Sequence, residues 1–106
     1  MTVLNVAELV RSGRKNAPLR KALDNWLQTA QGASWNSLTD VRATYPAADG
    51  VTIGIAAGIQ IVATVSNIMG NAYRLITVID FSRAVIRVVD VLTHAEYDKN
   101  LWKERL

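Results

Sequence analysis

Between Asp49 and Arg74 the chain runs "GVTIGIAAGIQIVATVSNIMGNAY" without one charged residue, and any fold it adopts must dispose of that segment. Two solutions exist for so long an uncharged run: a membrane-spanning helix, or β-structure packed against the rest of the protein. Four glycines, many β-branched residues and the polar Gln60, Ser66 and Asn67 weigh against a helix in lipid. They predict a connection followed by a buried strand, and no membrane partner. The N-terminal "MTVLNVAELVRSGRK" places its basic residues after the apolar ones, the reverse of a secretory signal. A cytoplasmic location is therefore expected, and a chain without cysteine has no need of an oxidising compartment.

The first half reads as helices. From Pro18 the positions Leu19, Ala22, Leu23, Trp26, Leu27 and Ala30 recur at the spacing of one helix face. Asn16 caps this helix, Pro18 suits its first turn and Gly32 ends it. "TVLN" is a candidate first strand, and Val6 to Ser12 a short helix closed by Gly13. "SLTDVRATYP" gives another short helix with Leu38 and Val41 inward, stopped by Pro46, and "AADGVTIG" a connection.

After that the period changes to two. Ile59 to Ile68, Ala72 to Phe81 and Ala84 to Leu92 are β-rich runs separated by links short enough for hairpins. They predict a three-stranded antiparallel meander with helices on one face. At 106 residues the chain has room for one modest core, so a single α+β domain spanning 1–106 is expected, closed by a short C-terminal helix. On the middle run Arg74, Ile76, Val78 and Asp80 share one side, and on the last Arg87 stands among Val85, Val89 and Val91. An arginine in an apolar strand must reach solvent or a partner.

Charge adds a hint about partners. Arg11, Arg14, Lys15, Arg20 and Lys21 crowd the first 21 residues, and Arg74, Arg83, Arg87, Lys99, Lys103 and Arg105 return in the last third, among acids. Two basic segments around a neutral centre suit either a polyanion or solvated faces. The only histidine lies in "VVDVLTHAEYDKN". Thr93 and Glu96 have capping-box spacing, so a helix starts there, with His94 and Tyr97 on one face. One histidine and scattered carboxylates make a metal site unexpected.

Two motifs then carry a resemblance. "NIMGNAYRL", from Asn67 to Leu75, and "IRVVDVLTHAEYD", from Ile86 to Asp98, resemble the C-terminal half of HigB-type toxins, the ribosome-dependent mRNA interferases of the RelE-like group. The upstream "LRKALDNWLQTAQGASWNSLTDVRATYP" is similar in character. The likeness covers about residues 17 to 100. It implies a RelE-like fold and a metal-independent endoribonuclease without cofactor, which turns a ribose 2′-hydroxyl on the adjacent phosphate. It also implies His94, Arg74, Tyr97 and Arg87 as the catalytic set, and Arg14, Lys15 and Lys99 as RNA contacts. The implied partners are a HigA-like antitoxin, mRNA and the ribosome, with DNA association only through the antitoxin.

This chain departs from the pattern in two places. Ser66 stands where the family usually has an aromatic, and Ile59 to Val65 offers no basic residue. Alternatives follow for the residues themselves. Arg74 has Asp80 and Asp90 as possible ion-pair partners, Arg87 a structural role, Tyr97 a place on the sheet or against a base, and Glu96 and Asp98 the helix N-terminus. A non-catalytic RNA- or ribosome-binding module, or a protein-interaction domain of the same fold, is the alternative function.

Overall fold

A computed structural model describes residues 1–14 and 16–105. Its helices form where the apolar spacing places them. The first, α1 (Val6–Gly13), follows Asn5, whose side-chain amide donates to the Val88 carbonyl at 2.8 Å and ties the helix to the sheet. The second, α2 (Ala17–Gly32), has Asn16 Oδ1 accepting from the Leu19 N–H at 2.7 Å and Pro18 in its first turn. It buries Leu19, Leu23, Trp26 and Ala30, the face read from the sequence. A fully buried leucine such as Leu19 contributes about 2 kcal/mol. Helix α3 (Leu38–Thr44) turns Val41 inward.

The sheet has five strands, β1 (Thr2–Leu4), β2 (Asp49–Ala56), β3 (Ile59–Ile68), β4 (Tyr73–Asp80) and β5 (Val85–Thr93), in the order β1-β5-β4-β3-β2. The expected meander β3-β4-β5 is present, but two expectations are corrected. The stretch read as a connection, "AADGVTIG", is largely strand β2, which pairs antiparallel with β3 through a turn at Ala57 and Gly58, both at positive φ. Its alternation is hidden by a register shift between Thr52 and Gly54 and by two glycines. The sheet is also mixed rather than antiparallel, because β1 runs parallel to β5, Thr2 opposite Val85. Nor is β3 buried throughout: Ile59 and Ile61 are exposed, and burial begins at Ala63.

A second irregularity sits between β4 and β5. Ile76 pairs with Asp90 but Thr77 with Val88, so Val89 is extra. The bulge puts Val88 and Val91 together on the helix-covered face, in the core with Leu75 and Ile86. Val89 packs with the opposite cluster. Strict alternation, which set Arg87, Val89 and Val91 in one line, fails at this point. At the β4–β5 turn the Ser82 hydroxyl donates to Asp80 at 2.7 Å and the Arg83 N–H at 3.1 Å. Those bonds, the hydroxyl's first, hold the Asp80 carboxyl below its ordinary range.

The other face of the sheet has its own smaller cluster. Ala63, Val65, Ile76 and Leu92 are covered there by Trp102, 1% exposed, which the chain delivers through helix α4 (His94–Asp98) and a closing 3-10 helix (Leu101–Arg105). The short C-terminal helix expected from the sequence is thus what carries Trp102 back over the sheet, with His94 at its start. Among the described residues no helix is long and apolar enough to cross a membrane.

Candidate active site

Arg74 enters the site from the start of β4, opposite Asn67 on β3 and Leu92 on β5. The β3–β4 turn, with Met69 and Gly70 at positive φ, bends the chain so that its carbonyls face the guanidinium. Nη1 of Arg74 donates to the Asn71 carbonyl at 3.1 Å and to its neighbour Tyr73 at 3.3 Å. The Asn67 amide in turn donates to Asn71 Oδ1 at 3.3 Å. The short "GN" turn is therefore the cradle of the arginine.

His94 arrives from β5. The capping box expected from Thr93 and Glu96 is complete: the Glu96 N–H donates to Thr93 Oγ1 at 3.2 Å and the Thr93 N–H to Glu96 Oε1 at 3.0 Å. The His94 N–H donates to the Ala72 carbonyl at 3.1 Å, fastening the helix start to the same turn that holds Arg74. Nη2 of Arg74 then lies 2.9 Å from His94 Nδ1, and His94 Nε2 lies 2.8 Å from Asp98 Oδ2, one helical turn on. A guanidinium only donates, so Nδ1 accepts; a carboxylate only accepts, so Nε2 carries the proton. The neutral Nε2–H imidazole satisfies both contacts at once.

Beneath these groups lies an aromatic plate. Tyr97 stacks on Trp102 with ring centroids 5.4 Å apart and planes 16° from parallel, and the Arg74 Cζ lies 5.9 Å from the Tyr97 centroid. Lys103 Nζ lies 5.6 Å from the Trp102 ring. Partial burial pushes the Tyr97 phenol above its ordinary value; the carboxylates of Asp49 and Asp98 add to the rise and Arg74 opposes it. A groove of about 330 Å³ lies between Tyr45 to Ala48 and the β3–β4 turn residues Asn67, Gly70 and Asn71.

The fold thus brings together Arg74, His94 and Tyr97 of the residues singled out in the sequence. Arg87 is on the same face but opposite Val78, four positions along β4 from Arg74, about 13 Å at the rise of a strand. Lys99 is exposed at the end of α4. Arg14 is exposed at the end of α1, beside Asn16, whose amide donates to the Tyr73 hydroxyl at 3.2 Å from the helix-covered side. Lys15 lies outside the described residues. Asp80 pairs with Arg83 and not with Arg74. Sequence reasoning assigned Asp98 to the helix terminus and missed its bond to the imidazole. The i, i+4 spacing of His94 and Asp98 was the signal available.

The arrangement offers a fixed cation, an imidazole at hydrogen-bonding distance from it and a flat aromatic surface, which together suit a phosphate flanked by bases. Among the described residues no group of three His, Asp or Glu side chains stands close enough to hold a metal ion. The family model described as HigB_toxin, RelE-like toxic component of a toxin-antitoxin system, matches residues 19–100. That span contains Arg74, His94, Tyr97 and Asp98 and leaves out Trp102, Arg14 and Lys15. No curated protein matches the chain.

Proposed function

This chain belongs to the HigB toxin family, the RelE-like toxic components of toxin–antitoxin systems, and on that premise we propose that it is a ribosome-dependent mRNA endoribonuclease. The observation that carries the reading is the 2.9 Å contact of Arg74 with His94 above the Tyr97–Trp102 plate. Cleavage within RNA needs no outside nucleophile. The 2′-oxygen of one ribose bonds to the adjacent phosphorus, the bond from phosphorus to the 5′-oxygen breaks, and a 2′,3′-cyclic phosphate and a 5′-hydroxyl result. His94 takes the 2′-hydroxyl proton, and the departing 5′-oxygen takes one from water.

Arg74 meets the charge that gathers on the phosphate oxygens in the transition state, where one well-placed donor is worth about 3 kcal/mol. Tyr97, already flat against Trp102, gives a base a stacking surface. Arg87, Lys99 and Arg14, away from the cluster, suit contacts with the flanking RNA phosphates or ribosomal RNA. A net charge of +3 and a strand β3 without basic residues make the chain a weak binder of free RNA. The ribosome supplies the positioning, a contribution of several kcal/mol. A HigA-like antitoxin neutralises the toxin in the cytoplasm, and any DNA association runs through that antitoxin.

The test is expression of the chain alone, then with an antitoxin encoded beside it. Arrest of growth in the first case and recovery in the second supports the reading. Growth unaffected by soluble, folded protein transfers support to a non-catalytic RNA- or ribosome-binding module, which the uncharged β3 favours.

A further inference from the structure

Both ring nitrogens of His94 are engaged, Nδ1 by Arg74 at 2.9 Å and Nε2 by Asp98 at 2.8 Å, which leaves no lone pair for a substrate proton. A base in this condition is closed. Resting on the ribonuclease reading above, we propose that Asp98 is a positioning residue that holds His94 in its Nε2–H form, and that Arg74 occupies Nδ1 until a phosphate oxyanion draws the guanidinium away.

The two contacts differ in what a substrate does to them. The bond from Arg74 to Nδ1 joins a cation to a neutral acceptor, whereas the same guanidinium facing a phosphate joins opposite charges and can bind two oxygens at once, the stronger pairing. Nη1 stays on the Asn71 and Tyr73 carbonyls, so the guanidinium pivots about an anchored edge and does not leave the site. The bond from His94 Nε2 to Asp98 is internal to one turn of α4, and a phosphate has no competing claim on a carboxylate. Phosphate arrival therefore frees Nδ1 and leaves Nε2 held.

The consequence is an ordered use of the ring. Nδ1 receives the 2′-hydroxyl proton only after the scissile phosphate is bound. The imidazolium formed then has the Asp98 carboxylate on its other nitrogen, as in hydrolase triads, but with the carboxylate 60% exposed. Among the described residues, Arg74 from β4 and Asp98 from α4 bond to the ring, Tyr97 from α4 lies against Arg74, and Asp49 from β2 acts on Tyr97. Asp98 differs from Glu96 in this: Glu96 closes the capping box, while Asp98 acts through the imidazole.

The single histidine makes the proposal directly readable, because two-bond nitrogen–proton spectra of the intact chain report one ring. In the unliganded protein with a neutral ring, Nε2 is expected as the protonated nitrogen and Nδ1 as a hydrogen-bonded acceptor. Inorganic phosphate is the first probe and a dinucleotide lacking the 2′-hydroxyl the second; either shifts Nδ1 toward an unbonded acceptor and leaves Nε2 in place. With phosphate bound, when Arg74 no longer fixes Nδ1, Asp98→Ala draws the two nitrogen resonances toward each other as the ring samples both forms; the same change lowers kcat on ribosome-bound mRNA by 10-fold or more with KM little changed. Asp98→Asn keeps an acceptor but no charge and lowers kcat by an intermediate factor. An Nδ1 that does not respond to either probe, or a phosphate-bound ring spectrum identical in Asp98→Ala and the parent, overturns the proposal even where the chain cleaves mRNA. The expected spectra in a chain that cleaves nothing overturn the ribonuclease reading and leave the ring geometry standing.

Discussion

The guanidinium of Arg74 and the imidazole of His94, twenty residues apart in the chain, meet at 2.9 Å because β4 and β5 pair Tyr73 with Thr93 and the β3–β4 turn holds both ends. Sheet register, the capping box and the Ala72 carbonyl each fix one side of that contact. Chemistry and stability are therefore separable at neighbouring positions.

His94→Ala and Arg74→Ala are each expected to lower the rate of mRNA cleavage by on the order of 100-fold or more, with Tm nearly unchanged, since His94 is half-exposed and Arg74 contributes no apolar core. Glu96→Ala does the reverse. It removes one arm of the capping box, costs about 1 kcal/mol, and leaves the cleavage rate of the folded fraction intact. Thermal unfolding and rate measurements on the three variants check this.

The aromatic plate separates packing from function in a different way. Trp102→Ala is expected to cost about 3–5 kcal/mol, because the indole covers Ala63, Val65, Ile76 and Leu92. Tyr97→Phe keeps the stack and most of the activity, whereas Tyr97→Ala loses substrate affinity with a small cost in stability. Denaturant unfolding with KM and kcat for each variant measures the difference.

Alkali probes Tyr97 from another side. Burial, with Asp49 and Asp98 behind it, raises this phenol above the ordinary tyrosine value of about 10. A group whose folded pKa is raised contributes stability that is complete below the unfolded value and is lost as pH climbs through the folded one. Stability is expected to fall from about pH 10 upward, and Tyr97→Phe to remove that part of the fall. Urea midpoints from pH 8.5 to 11.5 for the two proteins test it.

Isoleucines in adjoining strands give a contrast that strand propensity alone does not foresee. Ile76→Ala should cost about 2–5 kcal/mol, as its side chain is fully buried. Ile59→Ala should stay within about 0.5 kcal/mol of the parent, with the side chain 70% exposed at the hairpin tip. Equal losses at the two positions would contradict the sheet arrangement described above.

That contrast also marks how far the sequence could be read. Helix α2 was legible because Asn16, Pro18 and six apolar positions all point to one helix, and the start of α4 because a capping box is a local pattern. Strand β2 was not, because Gly50 and Gly54 and a bulge at Ile53 erase its alternation. Gly50 has a reason of its own: a Cβ there would lie 3.1 Å from the Leu38 side chain. The parallel pairing of β1 with β5 joins the ends of the chain and leaves no local trace. In the site, the motifs pointed to Arg74, His94 and Tyr97, but only register shows that they converge. Asp98 was visible solely as an i, i+4 spacing with two readings, and the extra Val89 that redirects β5 had no signal at all.

Cleavage of mRNA on the ribosome by His94 and Arg74, as proposed, is read from the RNA ends it leaves. Purified chain is added to ribosomes stalled on a defined mRNA, and the new RNA ends are mapped, chemically typed and timed. Expected are rapid appearance of 2′,3′-cyclic phosphate and 5′-hydroxyl ends, no cleavage when the ribose at the scissile position lacks its 2′-hydroxyl, and a rate lower by on the order of 100-fold or more with His94→Ala. Intact mRNA with the parent chain, or an undiminished rate with folded His94→Ala, would contradict it.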